Sequence, residues 1–166
     1  MKSLISFWNR HFLLDELLST ILVSGIVALW YQRFDGHLYI NALLAKNRPE
    51  IYGTFASITS SLLGFILASM SMAIVFLNTK ALKIVRESKH HLVLWKVFTN
   101  ATWAFAFATL MSLILLIFDR NDSPNPILLL IFFFAVMLAI LRMVRVIWVL
   151  NWVIIIVAAN ADSEDP

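Results

Sequence analysis

Residues 51–79 read IYGTFASITSSLLGFILASMSMAIVFLNT, and no charged side chain interrupts them. A hydrocarbon core about 30 Å thick is crossed by roughly 20 mostly apolar residues at helical rise, so this run is long enough to span a bilayer. Three further stretches lack charge: Leu17–Gln32, Val97–Phe118 and Ile127–Leu141. The first reaches full length once Leu13 and Leu14 are added, with Asp15 and Glu16 at the interface. The last does so when Arg142 and Arg145 lie at the far membrane surface. Lipid offers backbone groups no hydrogen-bond partners, which leaves helices as the spanning structure for runs of this kind. With 166 residues, 61% of them hydrophobic, almost nothing remains for a water-soluble domain. The sequence therefore predicts an all-α polytopic membrane protein, a four-transmembrane-helix bundle.

On either side of 51–79 a single membrane domain, 1–166, divides into segments. Residues 1–12 place Leu4, Ile5, Phe7, Trp8 and Phe12 on one broad helical face opposite Lys2, Ser6, Asn9 and Arg10, which predicts a short helix on the membrane surface. The first span is expected at 13–32, with no small-x-small cleavage site after it, so it reads as a retained anchor. A loop at 33–50 contains Gly36, Pro49 and an apolar cluster at Ile40, Leu43 and Leu44, and is long enough for a small outer cap. The second span covers 51–79, a basic extension 80–96, and the third span 97–118. Residues 119–126, Asp119 to Pro126, are dense in turn formers and predict a tight hairpin that makes spans three and four antiparallel neighbours. The fourth span is expected at 127–146. In residues 147–166 the apolar stretch after Arg145, about fourteen residues, is too short to cross again, so the segment is expected in the interface or against the cytoplasmic helix ends.

Charge orients the bundle. Of 13 Lys and Arg residues, nine fall on one side: Lys2, Arg10, Lys80, Lys83, Arg86, Lys89, Lys96, Arg142 and Arg145. Arg33, Lys46, Arg48 and Arg120 fall on the other. Cytoplasmic flanks carry the excess of basic residues, so both termini are expected in the cytoplasm. Trp8 and Trp95 on one side, and Trp30, Tyr31 and Tyr52 on the other, sit where interfacial aromatics belong.

Three groups of residues stand out. In the second span Ser57, Ser61, Gly64, Ala68 and Ser71 recur at steps of four, three, four and three, forming one stripe of small residues. Small residues let helix backbones approach closely in lipid, where there is no hydrophobic drive for helices to associate. The stripe is expected either to pack inside the bundle or to face a symmetry mate or a pore axis. Lys80, Lys83, Arg86 and Lys89 form a basic cytoplasmic surface. Such residues attract anionic headgroups by about 1 kcal/mol each, and could equally dock an acidic cytosolic partner. Arg142 and Arg145 interrupt an apolar run, where a charge is costly unless it snorkels, pairs or meets water. Asp15 and Glu16 have matching depth in the first span, so an ion pair between the two sets is expected.

Other chemistries lack their residues. The chain has no cysteine and only four histidines. His90 and His91 are adjacent and point about 100° apart on a helix, so they cannot chelate one ion together. No catalytic residue, metal site or cofactor site is expected, and an enzyme is not.

Residues Gly53, Ser57, Gly64, Ala68 and Ala73, running into Leu82-Lys83-Ile84-Val85-Arg86-Glu87, carry a resemblance to small four-span bacterial proteins of phage defence. The pattern is similar to the B component of the Rex exclusion system, and in size and span count to the Kiwa membrane component. The resemblance implies an infection sensor or membrane-perturbing effector of the bacterial inner (plasma) membrane, with an ion-conducting oligomer as one form. Expected partners are the lipid bilayer, further copies in a homo-oligomer for which a tetramer is one size, and an acidic cytosolic protein, but not nucleic acid. Two other readings stay open: a small housekeeping ion channel or transporter subunit, and a membrane adaptor that recruits its partner through the basic loop.

Overall fold

The computed structural model describes residues 2–44, 47–77, 90–119 and 124–161, and side-chain surroundings for those from Leu13 onward with a few exceptions. These residues form five helices and no strand. They are α1 (Lys2–Arg33), α2 (Gly36–Leu44), α3 (Arg48–Leu77), α4 (His90–Phe118) and α5 (Pro126–Ala161). Four helices, all but α2, are long and apolar enough to cross a membrane, over Leu13–Arg33, Arg48–Met72, Leu94–Phe118 and Pro126–Trp152.

α4 is the hub of the packing. It lies against α3 on one side and α5 on the other, while α1 rests on α5 and α2 on α1. Val97, Phe98, Ala101, Ala104, Phe105, Ala108 and Leu115 of α4 are buried together with Ile66 of α3 and Ala135, Ala139 and Val146 of α5. The buried alanines allow the close backbone approach that holds helices together in lipid. At the other end of the core, the Phe132 ring of α5 meets Tyr52 and Phe55 of α3 edge-on, at centroid distances of 5.8 and 5.3 Å. α3, α4 and α5 thus form a three-helix core to which α1 adds from one side.

Apart from α2, which forms inside the expected loop 33–50, and the start of α3 at Arg48, the helices differ from the expected segments at three places. Residues 2–12 are no separate surface helix but the first turns of α1, whose 32 residues extend about 48 Å. No Pro lies between Lys2 and Arg33, and the one Gly, Gly25, is far from the expected bend, so nothing breaks the helix there. Likewise α5 does not end at 146. It runs unbroken for 36 residues, about 54 Å, because no Gly or Pro follows Pro126 before Ala161. His90 to Lys96, assigned by sequence to the basic connection, open α4.

α4 and α5, which flank the expected hairpin at 119–126, are packed neighbours, while residues 120–123 lie outside the described residues. Tyr52 near the start of α3 meets Asp119 just past the end of α4, so Arg33, Arg48, Phe118 and Pro126 mark one end of the bundle, called here the hairpin end. The start of α1 and the end of α5 mark the other, called here the termini end.

Candidate functional site

Three arrangements in the bundle place polar or small residues where lipid or hydrocarbon packing would otherwise rule. The first is the outward face of α3. Its core face consists of Tyr52, Ala56, Thr59 and Ile66, all buried. Thr59 donates to the Phe55 carbonyl at 2.7 Å and accepts at 2.9 Å from Thr109 of α4, so a hydroxyl pair ties α3 to α4 in mid-bundle. Ser57, Ser61, Gly64, Ala68 and Ser71 lie about 140° round the helix from that face, at 100° per residue. All five are exposed. A Cβ added at Gly53 or Gly64 would meet nothing within 4 Å. Among the described residues nothing packs on Gly64 and the other four stripe residues are exposed, which departs from the expectation that the stripe packs inside the bundle. The close contacts within the chain are made by alanines of α4 and α5 instead.

The stripe differs from the rest of the exposed surface. Leu18 and Leu22 of α1, Trp103 and Leu110 of α4, and Val144 and Ile147 of α5 present large side chains outward. The hydroxyls of Ser60 and Ser71 are satisfied by the carbonyls of Ser57 and Leu67, at 3.0 and 2.9 Å. They therefore tolerate lipid and still offer acceptor lone pairs to a close neighbour.

The second arrangement lies toward the termini end, between α1 and α5. Glu16 is 7% exposed and Arg142 8%. Arg142 Nε stands 2.8 Å from Glu16 Oε2 in ionic contact, and Arg145 Nε donates a hydrogen bond to Glu16 Oε1. Arg142 and Arg145 are one turn apart on α5, so a single carboxylate bridges both. Asp15, the next residue round α1, is half-buried and stays outside the cluster. Above Glu16, Thr20 and Ser24 continue the same face at steps of four, both buried. Thr20 and Ser19 donate to the Glu16 carbonyl at 2.7 and 2.9 Å. The fully buried residues of α1 are thus polar, with Leu13 packed on the core beside them, and an ion pair joins the helix to α5. Burial of Arg142 replaces the snorkelling arrangement that its position in an apolar run also allowed.

The third arrangement closes the hairpin end. Tyr52 Oη donates to Asp119 Oδ2 at 2.8 Å, and the backbone N–H of Asn125 donates to Asp119 Oδ1 at 3.2 Å. Asn125 caps α5 in turn, its Oδ1 accepting from the N–H of Ile127 at 3.1 Å. Asp119, Tyr52 and Arg48 are all buried. One carboxylate therefore joins the start of α3, the end of α4 and the cap of α5. The only sequence signals for it were an interfacial tyrosine and an acidic residue in a turn, and their separation of 67 positions hides the contact.

Lys80, Lys83, Arg86 and Lys89 lie outside the described residues. Among the described residues no group of three His, Asp or Glu side chains gathers where it could hold a metal ion. No protein-family model, curated protein or solved structure matches this chain.

Proposed function

We propose that this chain is an oligomeric membrane protein that joins its copies through the small-residue stripe of α3 and acts on the bilayer itself. The observation that carries this reading is the outward placement of Ser57, Ser61, Gly64, Ala68 and Ser71, with nothing packed on Gly64 among the described residues. Helices in lipid associate through such surfaces, and a second copy of α3 can approach there more closely than at any leucine-covered face. A ring closed around the stripe collects serine hydroxyls on its axis, where they can hydrate a pore that aliphatic side chains would keep dry. This observation also favours the channel reading, which shares the same surface.

The resemblance to Rex-type proteins gives the assembly its purpose: sensing infection or perturbing the bacterial inner membrane in phage defence, with both termini cytoplasmic. Bacteria expressing the chain and challenged with phage provide the test. The wild-type chain should lower plating efficiency, and Gly64→Leu should restore it while inserting normally. Equal plating with the chain and with an empty vector would remove the defence role and leave the housekeeping channel or transporter subunit. An adaptor acting through Lys80, Lys83, Arg86 and Lys89 would instead survive Gly64→Leu and fail when those four charges are neutralised.

A further inference from the structure

α2 carries its polarity inside out. His37, Ile40, Asn41 and Leu44 turn toward the protein, and Gly36 lies under the ring of Trp30. The opposite face consists of Leu38, Tyr39, Ala42 and Leu43, which are all exposed, at 60% for Leu38, 72% for Tyr39 and 70% for Leu43. A surface helix in water turns its polar residues outward and its apolar stripe inward. Here no charged residue occurs between Gly36 and Leu44, and the two most polar side chains face the bundle. Such a face is stable only when something apolar covers it.

The chain limits where that cover can lie. α1 ends at Arg33 and α2 begins at Gly36, while α2 ends at Leu44 and α3 begins at Arg48. Fully extended, three or four residue steps reach at most about 11–14 Å, so both ends of α2 are held near the level at which two spans leave the hydrocarbon. The exposed face also continues an apolar surface that already belongs to a membrane span: Leu29, Trp30 and Phe34 are exposed on and just after the last turns of α1. Asp35, at a φ of 53°, makes the left-handed corner that folds α2 back on α1, and the rings of Trp30 and Tyr39 lie 6.5 Å apart across it. Tyr39 and Trp30 are the residue types that settle at headgroup depth.

We propose that α2 is a membrane-interface helix that seats its Leu38–Tyr39–Ala42–Leu43 face in the lipid of the leaflet at the hairpin end, the outer leaflet in the proposed orientation. The loop between the first two long helices is then no water-exposed cap. It is a second lipid-contacting element, separate from the α3 stripe and independent of whether copies associate there.

The absence of cysteine gives single-cysteine variants no background. Leu43→Cys and, separately, Tyr39→Cys, each labelled with the fluorophore NBD, are reconstituted as full-length chain in phosphatidylcholine–phosphatidylglycerol vesicles. Quenching by a phosphatidylcholine with a doxyl group close to the headgroup is compared with quenching by iodide present on both sides. The proposal requires strong lipid quenching at both positions, iodide quenching severalfold weaker than for the dye on free cysteine, and no change when the protein is diluted in lipid. Iodide access close to that of the free dye would place α2 in water and overturn it. Protection from both quenchers would mean that protein covers the face, a second copy if dilution exposes it and a different partner if not, and would overturn it equally.

Discussion

Glu16 and Arg142 meet at 2.8 Å between α1 and α5, and the same carboxylate accepts a hydrogen bond from Arg145. One acidic residue thus serves two arginines in a setting where an isolated charge is expensive. α1 touches the long helices mainly through α5, and its buried Glu16, Thr20 and Ser24 lie on the face where this cluster forms.

Removing the shared partner should cost most. Glu16→Gln takes the carboxylate from both guanidinium groups and is expected to destabilise the bundle by about 3–5 kcal/mol, the range for breaking a buried pair from one side. Arg142→Met or Arg145→Met leaves Glu16 with the other arginine and should cost less. Thermal unfolding in mild detergent checks the order. In a double-mutant cycle, Glu16→Gln with Arg142→Met should destabilise less than the sum of the single changes. Additive losses would show that the contact carries no coupling.

The hairpin-end node yields a graded series. Tyr52→Phe removes one hydrogen bond to a buried carboxylate and should cost about 1–3 kcal/mol. Asn125→Ala loses the cap of α5 and should cost about 0.5–2 kcal/mol. Asp119→Ala removes the common acceptor, so it should exceed Tyr52→Phe, and adding Tyr52→Phe to it should change little. Unfolding monitored by the same thermal assay measures each step.

At the corner between α1 and α2, a Cβ on Gly36 would fall 2.7 Å from the Trp30 ring. Gly36→Ala must displace that ring and should cost about 1–3 kcal/mol, as overpacking does. Asp35 adopts a left-handed φ of 53°, so Asp35→Gly should be neutral or stabilising and Asp35→Val clearly destabilising. Thermal stability of the three variants compares them directly.

The distribution of basic residues predicts cytoplasmic termini. Alkaline phosphatase fused after Pro166 should be inactive, and fused within 119–126 it should be active. The reverse pattern would invert the bundle, and with it the leaflet assigned to α2.

The sequence makes some of these features legible and hides others for physical reasons. Uncharged runs of spanning length mark the four long helices because a bilayer demands both length and composition. The ends of α1 and α5 are less legible. A polar–apolar pattern at 1–12 and the pair Arg142–Arg145 suggest breaks, yet neither site has a Gly or Pro to make one. The depth of Glu16 along α1 can be matched to the arginines of α5 by counting residues, but whether Asp15 or Glu16 turns inward depends on how the helix is rotated, which only packing sets. The same holds for the α3 stripe, since its period shows that five small residues share a face and not which neighbour the face meets. Ala101, Ala104 and Ala108, which make the close contacts of the core, are inconspicuous among the many apolar residues of α4.

Gly64 on α3 and Gly25 on α1 are both exposed glycines with open space where a Cβ would lie, and only Gly64 belongs to the small-residue stripe. Leucine at either position is compatible with lipid and should leave the bundle folded, so the two variants differ chiefly in which surface they block. Light scattering coupled to size exclusion in mild detergent, with crosslinking in native membranes alongside, reads the assembly. Assembly through the stripe predicts an oligomer for the wild type and for Gly25→Leu, and a shift to monomer for Gly64→Leu. A wild-type monomer under both conditions, or an oligomer that withstands Gly64→Leu, would contradict it.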